Sequence, residues 1–185
     1  MKANIKSRSN KLPRQGTVLY NLVHPDEKIR QKTLRKFRRL NKFIVIPLYR
    51  SFILPLLGFG RIFLILTTIG RISGKKRRTP LEYHWIEGIM TVFSGRGEES
   101  GWLKNIRVNP QSVWVRHGFH AYPIEAKLVT NELEQLKIVR WYVVNHSRSA
   151  KMLFGWDKWI DDPETTDLSN LNNSISIIQL FRKEV

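Results

Sequence analysis

Between Ile62 and Phe181 the sequence is cut into short apolar runs by glycine-bearing turns, and this punctuation confines the fold more than any other feature. IFLILTTI (62–69), LEYHWI (81–86) and IMTVFS (89–94) are rich in β-branched and aromatic residues and read as strands. Glu87-Gly88 turns the second into the third, and His117-Gly118 separates SVWVRH from AYPIEAKLV. SISIIQLF (174–181) supplies a sixth strand. WLKNIRVN, stopped by Pro110, interrupts the β pattern as one short helix. Residues 132–146 and roughly 149–160 read as helices, 161–173 as a polar loop, and no internal repeat is visible. The fold class expected is mainly β with α additions, built on a six-stranded antiparallel barrel with N-terminal and C-terminal helices.

Size and charge narrow the function. The 185 residues, 42% apolar and 11% aromatic, suffice for one packed domain with appendages. Cysteine is absent, which excludes a disulfide scaffold, a thiolate metal site and a cysteine nucleophile. The net charge of +17 attracts phosphates, polycarboxylates and anionic membrane faces. Most of that excess precedes position 50. Residues 1–24 read as a basic, disordered arm, 25–60 as an amphipathic helix with an apolar segment, and 61–185 as the barrel domain. Pro25-Asp26-Glu27 starts a helix over 26–42, with Leu34, Phe37 and Leu40 on its apolar face. The apolar stretch 43–60 is broken by Pro47, Arg50, Pro55 and glycines, whereas a spanning helix needs roughly 20 mostly uncharged residues. It reads as a packed helix or one resting on a membrane surface. Met1–Gly16 lacks the apolar core of a signal peptide, so a cytoplasmic protein, peripheral at the inner face of a membrane, is expected.

The chemistry concentrates in TTIGRISGKKRRTPL (67–81), which leaves one strand, turns on Gly70 and Gly74, and enters the next with five cations at 71–78. Glycines there allow successive N–H groups to converge on an anion, and Arg71, Arg77 and Arg78 offer planar forks for phosphate or carboxylate oxygens. Taken alone, the segment is an anion-binding hairpin or a solvated basic turn. Downstream, Trp102, Asn105 and Ile106 share one face of the short helix. A Trp and an amide together suit a flat heteroaromatic ring; equally, they suit a core Trp with a capping Asn.

Taken together, T-x-GR-x-SG-x-x-R-x-x-PL within 67–81, the SGRG loop at 94–97 and W-x-x-N-x-x-x-NP at 102–110 resemble the deazaflavin-dependent nitroreductase family, which uses coenzyme F420. The resemblance runs over roughly 35–130. It implies a split β-barrel related to flavin mononucleotide-binding barrels, with the reduced deazaflavin as hydride donor. It further implies that Arg71, Ser73, Gly74 and Arg77 hold the cofactor's phosphate and acidic tail. Ser94 and Arg96 would approach it from the glycine-rich loop, and Trp102 and Asn105 would border the ring. Ile72 stands where the family often has lysine, and Lys75 or Lys76 would supply that cation. The acceptor implied is a small electrophile: a nitro compound, quinone or activated alkene. Related barrels often form homodimers.

A flavin mononucleotide- or haem-binding barrel is the alternative cofactor reading, because a fold does not fix its cofactor. A membrane-surface module without catalysis is an alternative of another class. A nucleic-acid partner is not expected, because no recognition motif accompanies KKRR. His84, His117 and His120 lack paired ligand spacing, so no metal is expected. No catalytic side chain is assigned, since the cofactor would carry the hydride; Tyr83, next along the strand, is a candidate substrate contact.

Overall fold

The computed structural model describes residues 12–183. The N-terminal part is helical: α1 (Val18–Leu22), α2 (Glu27–Leu40), a π-helical turn (Asn41–Val45), α3 (Ile46–Arg50) and α4 (Ile53–Leu56). The strands are β1 (Phe63–Ile69), β2 (Lys76–Ile86), β3 (Ile89–Ser94), β4 (Trp114–His117), β5 (His120–Leu128) and β6 (Ser176–Arg182). Between β3 and β4 lies α5 (Gly101–Val108), and between β5 and β6 lie α6 (Glu132–Asn145), α7 (Ser147–Phe154) and α8 (Ser169–Ser174). The strands close into an antiparallel barrel in the order β1-β2-β3-β6-β5-β4. That is the barrel the turn punctuation requires, although helix (43%) outweighs strand (26%) among the described residues.

Strand alternation divides the apolar residues into two cores. Leu64, Leu66, Tyr83, Val92, Val115, Ile124 and Ile178 fill the barrel, which α5 plugs with Trp102, Leu103 and Ile106. Ile86, Phe93 and Ile177, of opposite parity, pack outward against Ile138, Tyr142, Val143 and Phe154 of α6 and α7. Leu12 and Leu19 join this second core.

Residues 12–24 therefore do not behave as the disordered arm expected for 1–24; they are held. Leu12 is 1% exposed, and the Arg14 guanidinium grips Asp161 through bonds of 2.7 and 2.6 Å. The rest of that expectation, residues 1–11, lies outside the described residues. Further on, α2 begins as its composition requires, with the Asp26 carboxylate accepting from the Lys28 N–H. Of its apolar face only Leu34 is buried; Phe37 and Leu40 stay part-exposed. The helical path then runs down the barrel wall to Tyr49, fully buried. Its hydroxyl donates to the Phe63 carbonyl (2.8 Å) and accepts from the Gly118 N–H (3.0 Å), clasping β1 to the β4–β5 hairpin.

Three local readings change. The second strand starts at Lys76 rather than Leu81, because pairing with β1 persists through Thr68↔Arg77 to Ile69↔Lys76. The helix expected over 149–160 stops at Phe154, where Gly155 takes a left-handed conformation (φ 86°). The polar loop 161–173 contains the start of α8, whose Leu168 and Leu171 neighbours are buried.

Candidate functional site

Because β1 and β3 run the same way, the loop after β1 (70–75) and the loop after β3 (95–100) emerge at the same end of the barrel. The first loop is tight. Gly70 N–H donates to the Lys75 carbonyl (2.9 Å) and Gly74 N–H to the Gly70 carbonyl (2.8 Å), with Gly74 at φ 64°. A Cβ on Gly70 would lie 2.9 Å from Ser73 Oγ. The Arg77 guanidinium donates to Ser73 Oγ (3.1 Å), so Ser73 and Arg77, expected to act on one anion, do converge. Arg71, Ser73, Gly74, Lys75, Lys76, Arg77 and Arg78 are all exposed. Among the described residues, none of the five cations has a carboxylate partner. Lys76 instead places its ammonium 5.7 Å from the Trp114 ring centre. Cations without carboxylate partners, held on a tight turn, fit a ligand bearing phosphate and carboxylates. Ile72, at the tip, is 89% exposed and contributes no charge.

The helix face behaves differently from the expectation. Asn105 is 6% exposed, and its Oδ1 accepts from the Arg71 backbone N–H (3.1 Å) and the Arg71 guanidinium (3.4 Å). Its Nδ2 donates to Thr68 Oγ1 (3.2 Å). Asn105 thus fastens the cationic loop to α5, a positioning role one step from any ligand. Trp102 is 9% exposed within the barrel core, so its ring is spent on packing rather than open for stacking.

On the second loop, Ser94 is 2% exposed; its hydroxyl donates to the Gly97 carbonyl (3.0 Å) and bonds the Ser100 hydroxyl. Ser94 shapes the loop from inside, and Arg96 beside it is half-buried. Burial, then the nearby charges of Arg38 and Arg30, disfavours the charged form of Arg96, with Glu99 opposing. Both neighbours belong to α2, whose cations thereby extend the basic end of the barrel. In the sequence Arg30 and Arg38 are two of several cations on the 26–42 helix, and nothing local in α2 signals a partner at position 96.

Tyr83 is 5% exposed, its hydroxyl hydrogen-bonded to His117 Nε2 (2.6 Å) and the Gly60 carbonyl (3.2 Å). It is not open to a substrate from the cationic loop. Its partner His117 lines, with Trp85, Met90, Tyr122 and Leu180, a cavity of about 520 Å³ at the opposite mouth of the barrel.

A model of the F420H(2)-dependent quinone reductase family matches residues 56–152, which includes both loops and α5. The chain belongs to this family. It is accordingly an F420H2-dependent oxidoreductase, with coenzyme F420 as its cofactor. Among solved structures, the F420-H2 dependent reductase FDR-A is 22% identical (TM-score 0.44), aligned over 65% of this chain and 94% of its own. A conserved hypothetical protein from Mycobacterium tuberculosis is 15% identical (TM-score 0.47; 66% of this chain, 74% of its own). HutZ, a heme storage protein from Vibrio cholerae, is 14% identical (TM-score 0.43; 70% of this chain, 89% of its own). Comparison with curated proteins finds no match.

Proposed function

We propose that the chain binds reduced coenzyme F420 across the cationic end of the barrel and passes hydride to a small planar electrophile. Quinones, nitro compounds and activated alkenes share the required chemistry. The observation that carries this reading is the Asn105 tie, which fastens Arg71, and with it the start of a glycine-bearing turn of five cations without carboxylate partners, to α5. Arg71, Lys75, Lys76 and Arg77, with the Ser73 hydroxyl, take the phosphate and acidic tail, and Gly74 supports them by holding the turn closed; Arg96 extends the field to the neighbouring loop. Trp102 and Ser94 shape the walls without touching the ligand. When bound, F420H2 supplies the hydride, and the protein supplies position and charge.

Fluorescence titration of the purified chain with F420 and with flavin mononucleotide tests the cofactor, and F420H2 oxidation across quinone, nitroarene and enone acceptors tests the substrate. Saturable F420 binding with acceptor-dependent turnover is expected. Tight flavin mononucleotide binding with no response to F420 would overturn the reading in favour of a flavin barrel.

A further inference from the structure

The end of the barrel opposite the cationic loop carries an exposed apolar surface that the fold leaves uncovered. Leu56 and Leu57 are 74% and 67% exposed at the tip formed by α4 and Gly58, and Phe59 and Ile62 beside them are also exposed. Phe119 of the β4–β5 hairpin continues this surface, because its ring stacks on Phe52 at 5.4 Å and Gly118 abuts Gly60. Contiguous apolar surface of this kind on a charged protein marks an interaction site.

Charge identifies the occupant. From Lys28 to Leu81 the sequence contains no Asp or Glu, and Arg50 and Arg61, which flank the tip in the chain, are exposed. Among the described residues, neither has a carboxylate partner. A greasy tip flanked by such cations is complementary to a layer whose surface is anionic and whose interior is apolar. No helix among the described residues is long and apolar enough to cross a membrane.

We propose that this end seats on an anionic phospholipid surface, with Leu56, Leu57 and Phe59 entering the acyl boundary and Arg50 and Arg61 meeting headgroups. The surface differs from the one the sequence points to: Leu34, on the apolar face of the 26–42 helix, is buried, and the docking face is 50–62 with Phe119. Docking this way leaves the 70–75 loop turned towards water. The inference stands apart from the identity of the cofactor or acceptor.

Co-sedimentation of the full chain with phosphatidylglycerol–phosphatidylcholine vesicles and with pure phosphatidylcholine tests it, at low and high salt. Binding to the anionic vesicles that high salt weakens is expected, together with at least a tenfold loss of partitioning for the Leu56→Ser/Leu57→Ser protein. Leu133→Ser, at an exposed position on α6, should bind as the parent does. F420 titration and a thermal melt of each variant show separately whether the fold and the cofactor site survive. Failure of the parent chain to bind anionic vesicles would overturn the proposal. So would binding that Leu56→Ser/Leu57→Ser leaves unchanged, which would assign the attraction to cations elsewhere. Sedimentation equilibrium supplies the last outcome: a lipid-free dimer that the double substitution dissolves would make the face a contact between copies instead.

Discussion

Asn105 spends both ends of its amide on β1 and the loop that follows it, so α5 decides where the cations sit. Asn105→Ala removes these bonds and strands the Thr68 hydroxyl, itself 1% exposed, at a cost of about 1–3 kcal/mol in stability. F420 affinity should fall with it, although no charge is lost. Arg71→Ala keeps the backbone tie, so its melting temperature should stay near that of the parent while binding weakens by about 1.5–3 kcal/mol. Melts beside fluorescence titrations of the two proteins separate these outcomes; equal affinity in the Asn105 variant would show that the loop holds its shape unaided. A second residue-scale effect comes from His84, held between β2 and α6 with its Nδ1 3.1 Å from His146 Nε2. Burial, then the His146 charge, pushes His84 down to about 4, and burial lowers His146 as well. Both imidazoles are therefore favoured neutral in the fold, whereas the unfolded chain protonates them near pH 6.5. Stability is complete above that value and falls as pH drops towards 4, by on the order of 1 kcal/mol between pH 7 and 5. Glu82, 3.5 Å from His84 Nε2 and raised by burial, works in the opposite direction and offsets part of the loss. Denaturant midpoints at the two pH values should converge in His84→Gln. The sequence shows His84 as a lone strand histidine because its partner lies 62 positions away, at the end of a different helix.

Among the elements, the strands were legible and the ends of the helices less so. Alternation within runs such as Phe63–Ile69 and Ile89–Ser94 is a local property, and the turns between them carry their own glycines. The β2 start was not, because Lys76, Arg77 and Arg78 have no strand pattern; their extension comes from β1 across the ladder. The α8 segment SNLNNS is poor in helix formers and is helical beside the buried Leu168 and Leu171. The clasp made by α3 was equally hidden, since a tyrosine in an apolar run gives no sign of what its hydroxyl will meet. Tyr49→Phe keeps the ring and loses both hydrogen bonds, leaving the Phe63 carbonyl and Gly118 N–H without that partner. A loss of about 1–3 kcal/mol is expected in a denaturant titration. F420 binding should hold, because the clasp lies at the far end of the barrel. A large loss of affinity would show that the two ends are mechanically linked.

For the molecule as a whole, the basic N-terminal region is structural rather than appended from residue 12 onward. Arg14 bonds Asp161 from the opposite end of the sequence, and the partially buried carboxylate is raised by burial yet lowered overall by that guanidinium. Arg14→Ala leaves Asp161 without its cation and should cost about 3–5 kcal/mol by thermal or denaturant unfolding. Removal of residues 1–42 should expose Ile138, Tyr142 and Phe154 where Leu12 and Leu19 lie, and give an insoluble or strongly destabilised protein. A soluble truncated chain with an unchanged melt would show the N-terminal packing to be dispensable. The cofactor class was legible because its motif is contiguous, whereas the division of the barrel into a cationic end and an apolar end required the strand order.

That strand order also governs how the molecule comes into being. β6 lies between β3 and β5 and pairs with both, so it is the piece that closes the ring. Until residues 176–182 have been synthesised and have left the exit tunnel, the chain has no closed barrel. It offers instead a five-stranded sheet in the order β3-β2-β1-β4-β5 with two unsatisfied edges, each ready to accept the wrong strand from a neighbouring nascent chain.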